Sequence, residues 1–126
     1  MEPLRKVSLA EKFALFDDAW NPRVVGAWDG QQVKLAKFRG EFIWHHHEHE
    51  DEVFFVVRGA VRMGLRDPEE RDMLLQEGEL LIVPRGVEHK PAAEGEEAWV
   101  MMLESAGTLN TGNVRGERTR DTLERI

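Results

Sequence analysis

The chain contains no cysteine and no tyrosine. Without thiols there is no disulfide framework, no thiolate nucleophile and no Cys-ligated zinc, so any metal must be held by nitrogen and oxygen. Without phenols, acid–base chemistry falls to histidine, carboxylates or metal-bound water. Positive charge is also short, with 17 Lys and Arg against 24 Asp and Glu. The resulting net charge of -7 offers no basic footprint for a phosphate backbone, and nucleic acid is set aside as a partner. No run approaches the about 20 apolar residues that a spanning helix needs, so no membrane partner is expected. The opening Met1 to Lys6 leads into neither an apolar h-region nor a small-residue cleavage site, and the expected location is the cytoplasm.

What is present suits one globular domain over residues 1–126, with 41% hydrophobic and 33% charged residues. Ser8 and Glu11 have capping-box spacing, and Leu9, Phe13 and Phe16 share one face, which predicts a short helix over about 8–16. From Arg23 the pattern changes to short runs punctuated by Gly, Pro and Asp. The runs are 24–28, 32–38, 41–47, 52–58, 61–66, 72–76, 79–83, 89–93 and 98–103, a core barrel over about 23–103. Asp29-Gly30 is a hairpin dipeptide, Gly59 separates two runs, and Pro84-Arg85-Gly86 cannot continue a central ladder. Many short strands at this spacing predict an all-β sandwich or barrel.

In the run from Glu52 to Arg58, Val53, Phe55 and Val57 alternate with Phe54 and Val56, so both faces need cover. A barrel core covers one. The helix or a second subunit must cover the other, and a homodimer is the expected answer, with an intramolecular layer as the alternative. The arm from Glu104 to Ile126 is rich in Gly, Thr and Asn yet carries Leu109, Val114, Leu123 and Ile126. Those spaced apolar groups predict an arm docked on a barrel, against the alternative of a solvated tail.

Four of the five histidines stand in His45-His46-His47-Glu48-His49. On a strand over 41–47, the period of two sends His45 and His47 to one face with Ile43, and Phe42, Trp44 and His46 to the other. Neighbouring imidazoles at that spacing can chelate one ion. Glu52 opens the next run as a third ligand, and His89 follows the Pro84–Gly86 turn as a fourth. His47 and His49 repeat the spacing, but that register leaves only two residues before Glu52. Three imidazoles and a carboxylate suit one divalent transition ion, Fe, Mn, Ni, Co, Cu or Zn, with positions left open for water or substrate.

The residue order resembles the cupin superfamily, specifically its small single-domain bacterial members. One motif reads Gly40, His45, His47, Glu52 and Gly59, with four residues between Gly40 and His45 where five are usual. The other reads Gly78, Pro84, Gly86 and His89, with Ala93 where the family pattern has Asn. That asparagine is not a ligand in the family, so the ligand set is left whole and no role passes to position 93. The resemblance covers about residues 33–103 and implies a double-stranded β-helix, a jelly-roll barrel with His45, His47, Glu52 and His89 around one metal inside its mouth. It names no reaction, because cupins include dioxygenases, decarboxylases, isomerases, lyases, cyclases and non-catalytic binders.

The expected function is therefore a metal-dependent enzyme, dioxygenase- or isomerase-like, acting on a small organic molecule. The alternative is a non-catalytic module that uses its metal to bind a sugar or an acid. His49 is the candidate catalytic base, with Glu41 and metal-bound water as other proton carriers. Phe54, Val56, Met63, Leu81, Val83, Met101 and Leu103 are candidates for an apolar pocket, and Arg58 and Arg85 for anion clamps.

Overall fold

The computed structural model describes residues 1–126. Helix α1 (Leu9–Phe13) precedes β1 (Arg23–Trp28), β2 (Gln31–Phe38), β3 (Glu52–Arg66), β4 (Glu70–Leu75), β5 (Leu80–Val83) and β6 (Glu88–Ser105). All ladders are antiparallel, in the order β1-β2-β6-β3-β4, with β5 also on β3. Two long strands organise the molecule. β3 and β6 pair from Val53↔Leu103 to Arg66↔Glu88, with register shifts around Arg58 that bend the sheet over on itself. Phe54 and Val56 before the bend thereby meet Val61, Met63 and Leu65 beyond it in one buried core. The result is the expected jelly-roll barrel.

Three expectations about strands are corrected. The runs 52–58 and 61–66 are one strand, and so are 89–93 and 98–103, because bulges keep the ladder going where Gly59 suggested its end. The run 41–47 is no strand at all; it touches the sheet only through bridges Glu41↔Ala92 and His45↔His89. Its alternating pattern comes from a connecting segment that lies across the barrel mouth. Phe42 consequently turns toward the cavity, while Trp44 lies on Gly64 between the side chains of Arg66 and Lys90.

Helix α1 is capped as its sequence demands, with Ser8 Oγ accepting from the Glu11 N–H at 3.3 Å. It ends at Phe13, earlier than expected. Buried Lys37 donates to the Phe16 carbonyl at 2.7 Å, which commits that residue to the sheet instead of to a further turn. Phe13 and Phe16 cover Val25 and Leu35, with Val57 and Trp99 alongside, so part of the outer face is closed from within the chain. Burying two such rings contributes about 2–3 kcal/mol each before entropy is counted.

The arm is docked on its own barrel. Glu124 and Ile126 exchange backbone hydrogen bonds with Val24, while Asn113 bonds the backbone of His46 through both its N–H and its side-chain oxygen. Thr108 and Thr111 are buried, and Leu109, Leu123 and Ile126 are half-buried.

Candidate metal centre

Three separate pieces of chain converge at the mouth of the barrel. His45 and His47 come from the connecting segment, Glu52 from the first position of β3, and His89 from the start of β6. Backbone bonds lock them together. His45 and His89 exchange N–H···O bonds of 3.0 and 2.8 Å, and the Gly86 N–H of the Pro84–Gly86 turn holds the His47 carbonyl at 2.8 Å. One donor atom from each of the four lies within 4.8 Å of every other, and all four residues are buried.

Their protonation is set by the same scaffold. His45 Nδ1 lies 2.9 Å from the Ile43 carbonyl and His89 Nδ1 lies 2.9 Å from that of Val87. A carbonyl only accepts, so each Nδ1 carries a proton and each Nε2 is the ring nitrogen turned to the cluster. Burial, reinforced by neighbouring His89, pushes His45 down to about 4, so it stays neutral near pH 7. Burial raises the Glu52 carboxyl, but contacts from Glu104, His47 and His89 outweigh it and hold the group well below the usual carboxylate range.

The cluster consequently gathers metal-ligating atoms at one point. Glu52 Oε1 lies 3.2 Å from His47 Nε2 and 3.3 Å from His89 Nε2. These contacts are close but not aligned as hydrogen bonds, and all three atoms are buried without a partner. Buried polar atoms left without a hydrogen-bond partner are costly, and a cation between them would satisfy all three. Spacings near 3 Å are also those of adjacent donors around one ion with bonds of about 2.1 Å. The residues fit a divalent ion, and they are nitrogen and oxygen donors, as the absence of cysteine requires.

The family model for the cupin domain matches residues 31–104. The chain is a cupin. A cupin-2 domain protein from Shewanella frigidimarina is 42% identical, covering 79% of this chain and 93% of that one, with a TM-score of 0.74. Protein NMB1881 from Neisseria meningitidis is 28% identical over 81% of this chain and 100% of that one, with a TM-score of 0.72. The protein YdbB of Bacillus subtilis is 38% identical over 58 residues, 46% of this cupin and 50% of YdbB, so the chain spans about half the length of that curated relative.

Beside the four residues this cupin has a small cavity open to solvent. His45 and Glu52 form its polar wall with Glu104 and Asn110, and Trp20, Phe38, Phe42, Phe54 and Met102 its apolar one. Trp20 is stacked on Phe38 at 4.3 Å and on Phe42 at 4.8 Å, and Phe42 meets His45 edge-on. Holding it there requires φ 59° at Trp20, a left-handed backbone that disfavours a bulky residue by about 1–2 kcal/mol. Its N–H to the Lys37 carbonyl and its indole N–H to that of Arg39 offset that cost.

Other expected pocket residues are placed differently. Phe54 lines the cavity, but Val56, Met63 and Val83 fill the core, Leu81 packs against it, and Met101 lies against the helix side of the sheet. Leu103 pairs with Val53 and lines no part of the cavity. Neither arginine is an anion clamp there: Arg58 lies over Trp99, and Arg85 pairs with Asp51 in solvent. Exposed Glu41 pairs with Lys90. His49 is exposed and outside the four-residue cluster, and His46 pairs with Glu48.

Two residues that sequence reasoning passed over stand next to the cluster. Glu104 meets Glu52 carboxyl to carboxyl, and its other neighbour is the ammonium of Lys34 at 2.9 Å. Both side chains are 2% exposed. Burial and the Glu52 charge push the Glu104 carboxyl well above its ordinary range, with Lys34 opposing them. The one available signal was parity, since Lys34 shares its strand face with Ala36 and Phe38 of the core.

Proposed function

We propose that this cupin is a metal-dependent enzyme, dioxygenase- or isomerase-like, that acts on a small organic molecule in the cytoplasm. The observation that carries the reading is the buried cluster of His45, His47, Glu52 and His89 opening onto an aromatic cavity. A bound Fe, Mn, Ni, Co, Cu or Zn ion would act there as a Lewis acid or as a redox centre, with open positions for the reactant. The chain's own residues keep His45 neutral, wall the cavity with Trp20 and Phe42, and direct the donors at one point.

The cavity wall also bears on the choice of molecule. No Lys or Arg lines it, and both of its charged side chains are carboxyls. The amide of Asn110 is already committed on both sides, to the Arg118 carbonyl and the Arg120 N–H. Such a wall gives a sugar few hydrogen-bonding partners, so it favours a small apolar reactant over the alternative of a sugar-binding module. Protein loaded separately with each of the six ions under anaerobic conditions is then screened for oxygen uptake and product formation with small diketones, thiols and phenols. Turnover with at least one pairing is expected. Saturable sugar or acid binding with no turnover across the whole screen would replace the enzyme reading by the binding module.

The outer face supports the homodimer. α1 covers Val57, but Leu80 and Ile82 of β5 remain 58% and 55% exposed beside half-buried Phe55 and Val53, with which they pair. A continuous apolar strip of this kind is a surface that a second copy would cover. Light scattering should give twice the chain mass at micromolar concentration, and Ile82→Glu should shift it toward the monomer. A monomeric wild type would end the proposal.

A further inference from the structure

Glu52, Glu104 and Lys34 form a line across three neighbouring strands. Val53 pairs with Leu103, so the same register carried one step places Glu52 of β3 opposite Glu104 of β6. On the other side β2 pairs Gln32 with Glu104 and Lys34 with Met102. The alternation turns Lys34 and Glu104 inward, where Met102 already belongs to the core. Two carboxyls facing each other in a buried site repel unless a proton or a cation intervenes. Here the Lys34 ammonium stands 2.9 Å from Glu104 and is itself steadied by the Thr108 carbonyl of the arm at 3.4 Å.

We propose that Glu104, anchored by Lys34, is a positioning residue for the metal centre: it fixes the orientation of the Glu52 carboxylate and so sets how tightly the four-residue cluster holds a divalent ion. The inference rests on the metal reading above and goes beyond the four ligating residues. Glu52 has two oxygens. One, Oε1, faces His47 and His89 without a partner, and buried Glu104, opposite Glu52 in the β3–β6 register, limits how the carboxylate can turn away from the imidazoles. Partners of this kind, which hold a ligating carboxylate from behind, typically change affinity 10–100-fold when removed. A purely structural ion pair would instead alter stability and leave affinity alone.

The distinction is measurable on the full chain in its apo form. Zn²⁺ and Ni²⁺ affinities are obtained by competition with a chromophoric chelator, and the apo melting temperature of each variant is recorded alongside. Glu104→Leu should weaken both ions by about 10–100-fold. Glu104→Gln, whose amide can donate to Glu52 and accept from Lys34, should stay within about threefold of wild type. Equal affinities for wild type and Glu104→Leu would overturn the proposal, and so would equal losses in the Leu and Gln variants. Should Glu104→Leu fail to fold, Lys34→Met against Lys34→Arg decides: weakening in the first with retention in the second is expected, and no difference overturns it. A wild type that takes up neither ion sinks the metal reading itself and this proposal with it, a result distinct from variants that bind as well as a competent wild type.

Discussion

Alanine at any one of His45, His47, Glu52 or His89 is expected to lower divalent-ion affinity by at least about 100-fold, whereas His46→Ala leaves it within about threefold. The four donors are buried and aimed at one point, and no spare imidazole or carboxylate belongs to the cluster that could take over. His46 is the internal control, since it shares the same chain segment but turns to Glu48 in solvent. Elemental analysis of purified variants, backed by chelator competition, reads the outcome. Retained metal in His89→Ala together with lost metal in His49→Ala would mean that the cluster has been assigned to the wrong residues. A second consequence separates the four from one another. His45→Ala and His89→Ala remove side chains whose Nδ1 also ties down a carbonyl, so both should lose some apo stability as well. Each lost hydrogen bond accounts for about 1 kcal/mol of that loss.

The four-residue cluster was legible because its members are rare residue types at fixed spacings. His45 and His47 lie two apart, and Glu52 and His89 sit at the starts of strands that turn signals announce. That legibility did not depend on the correct local structure, for the segment bearing His45 and His47 is a crossing connection and not a strand. An extended connection still alternates its side chains, which is why the pairing survived while the placement of Phe42 did not. Lys34 and Glu104 were obscured by their charge. In strand patterns a lysine or glutamate signals the solvent face, and only pairing across β2 and β6 shows that here the two meet indoors. Trp20 was hidden by a different cause. It lies in the link between α1 and β1, and its place over the cavity follows from tertiary hydrogen bonds that no local pattern records. The long strands were misread for a third reason: a glycine inside a bulge looks the same in sequence as a glycine that ends a strand.

Gly59 is where that last ambiguity has its largest energetic consequence, and Gly59→Ala is expected to destabilise the fold by about 2–5 kcal/mol. The glycine has φ 79°, which an alanine resists by about 1–2 kcal/mol. Conformation is only part of the effect. A Cβ there would lie 2.6 Å from the Glu97 carbonyl oxygen and 3.2 Å from the Ala98 Cα, both backbone atoms, and Ala98 is completely buried. Relief therefore requires β3 and β6 to move apart at the bend, which adds about 1–3 kcal/mol of overpacking. Gly40→Ala supplies the comparison, because Gly40 has φ 65° but a Cβ there meets nothing within 4 Å. Its loss should be the conformational about 1–2 kcal/mol alone. Urea unfolding of the two apo variants measures the difference, and equal losses would show that the close approach of the two strands carries no weight. The bend also bears on the metal centre, since Glu52 precedes it on β3 while His89 pairs with Leu65 well beyond it. Spreading the bend shifts one ligand against the other, so added Zn²⁺ should raise the melting temperature of Gly59→Ala less than that of wild type.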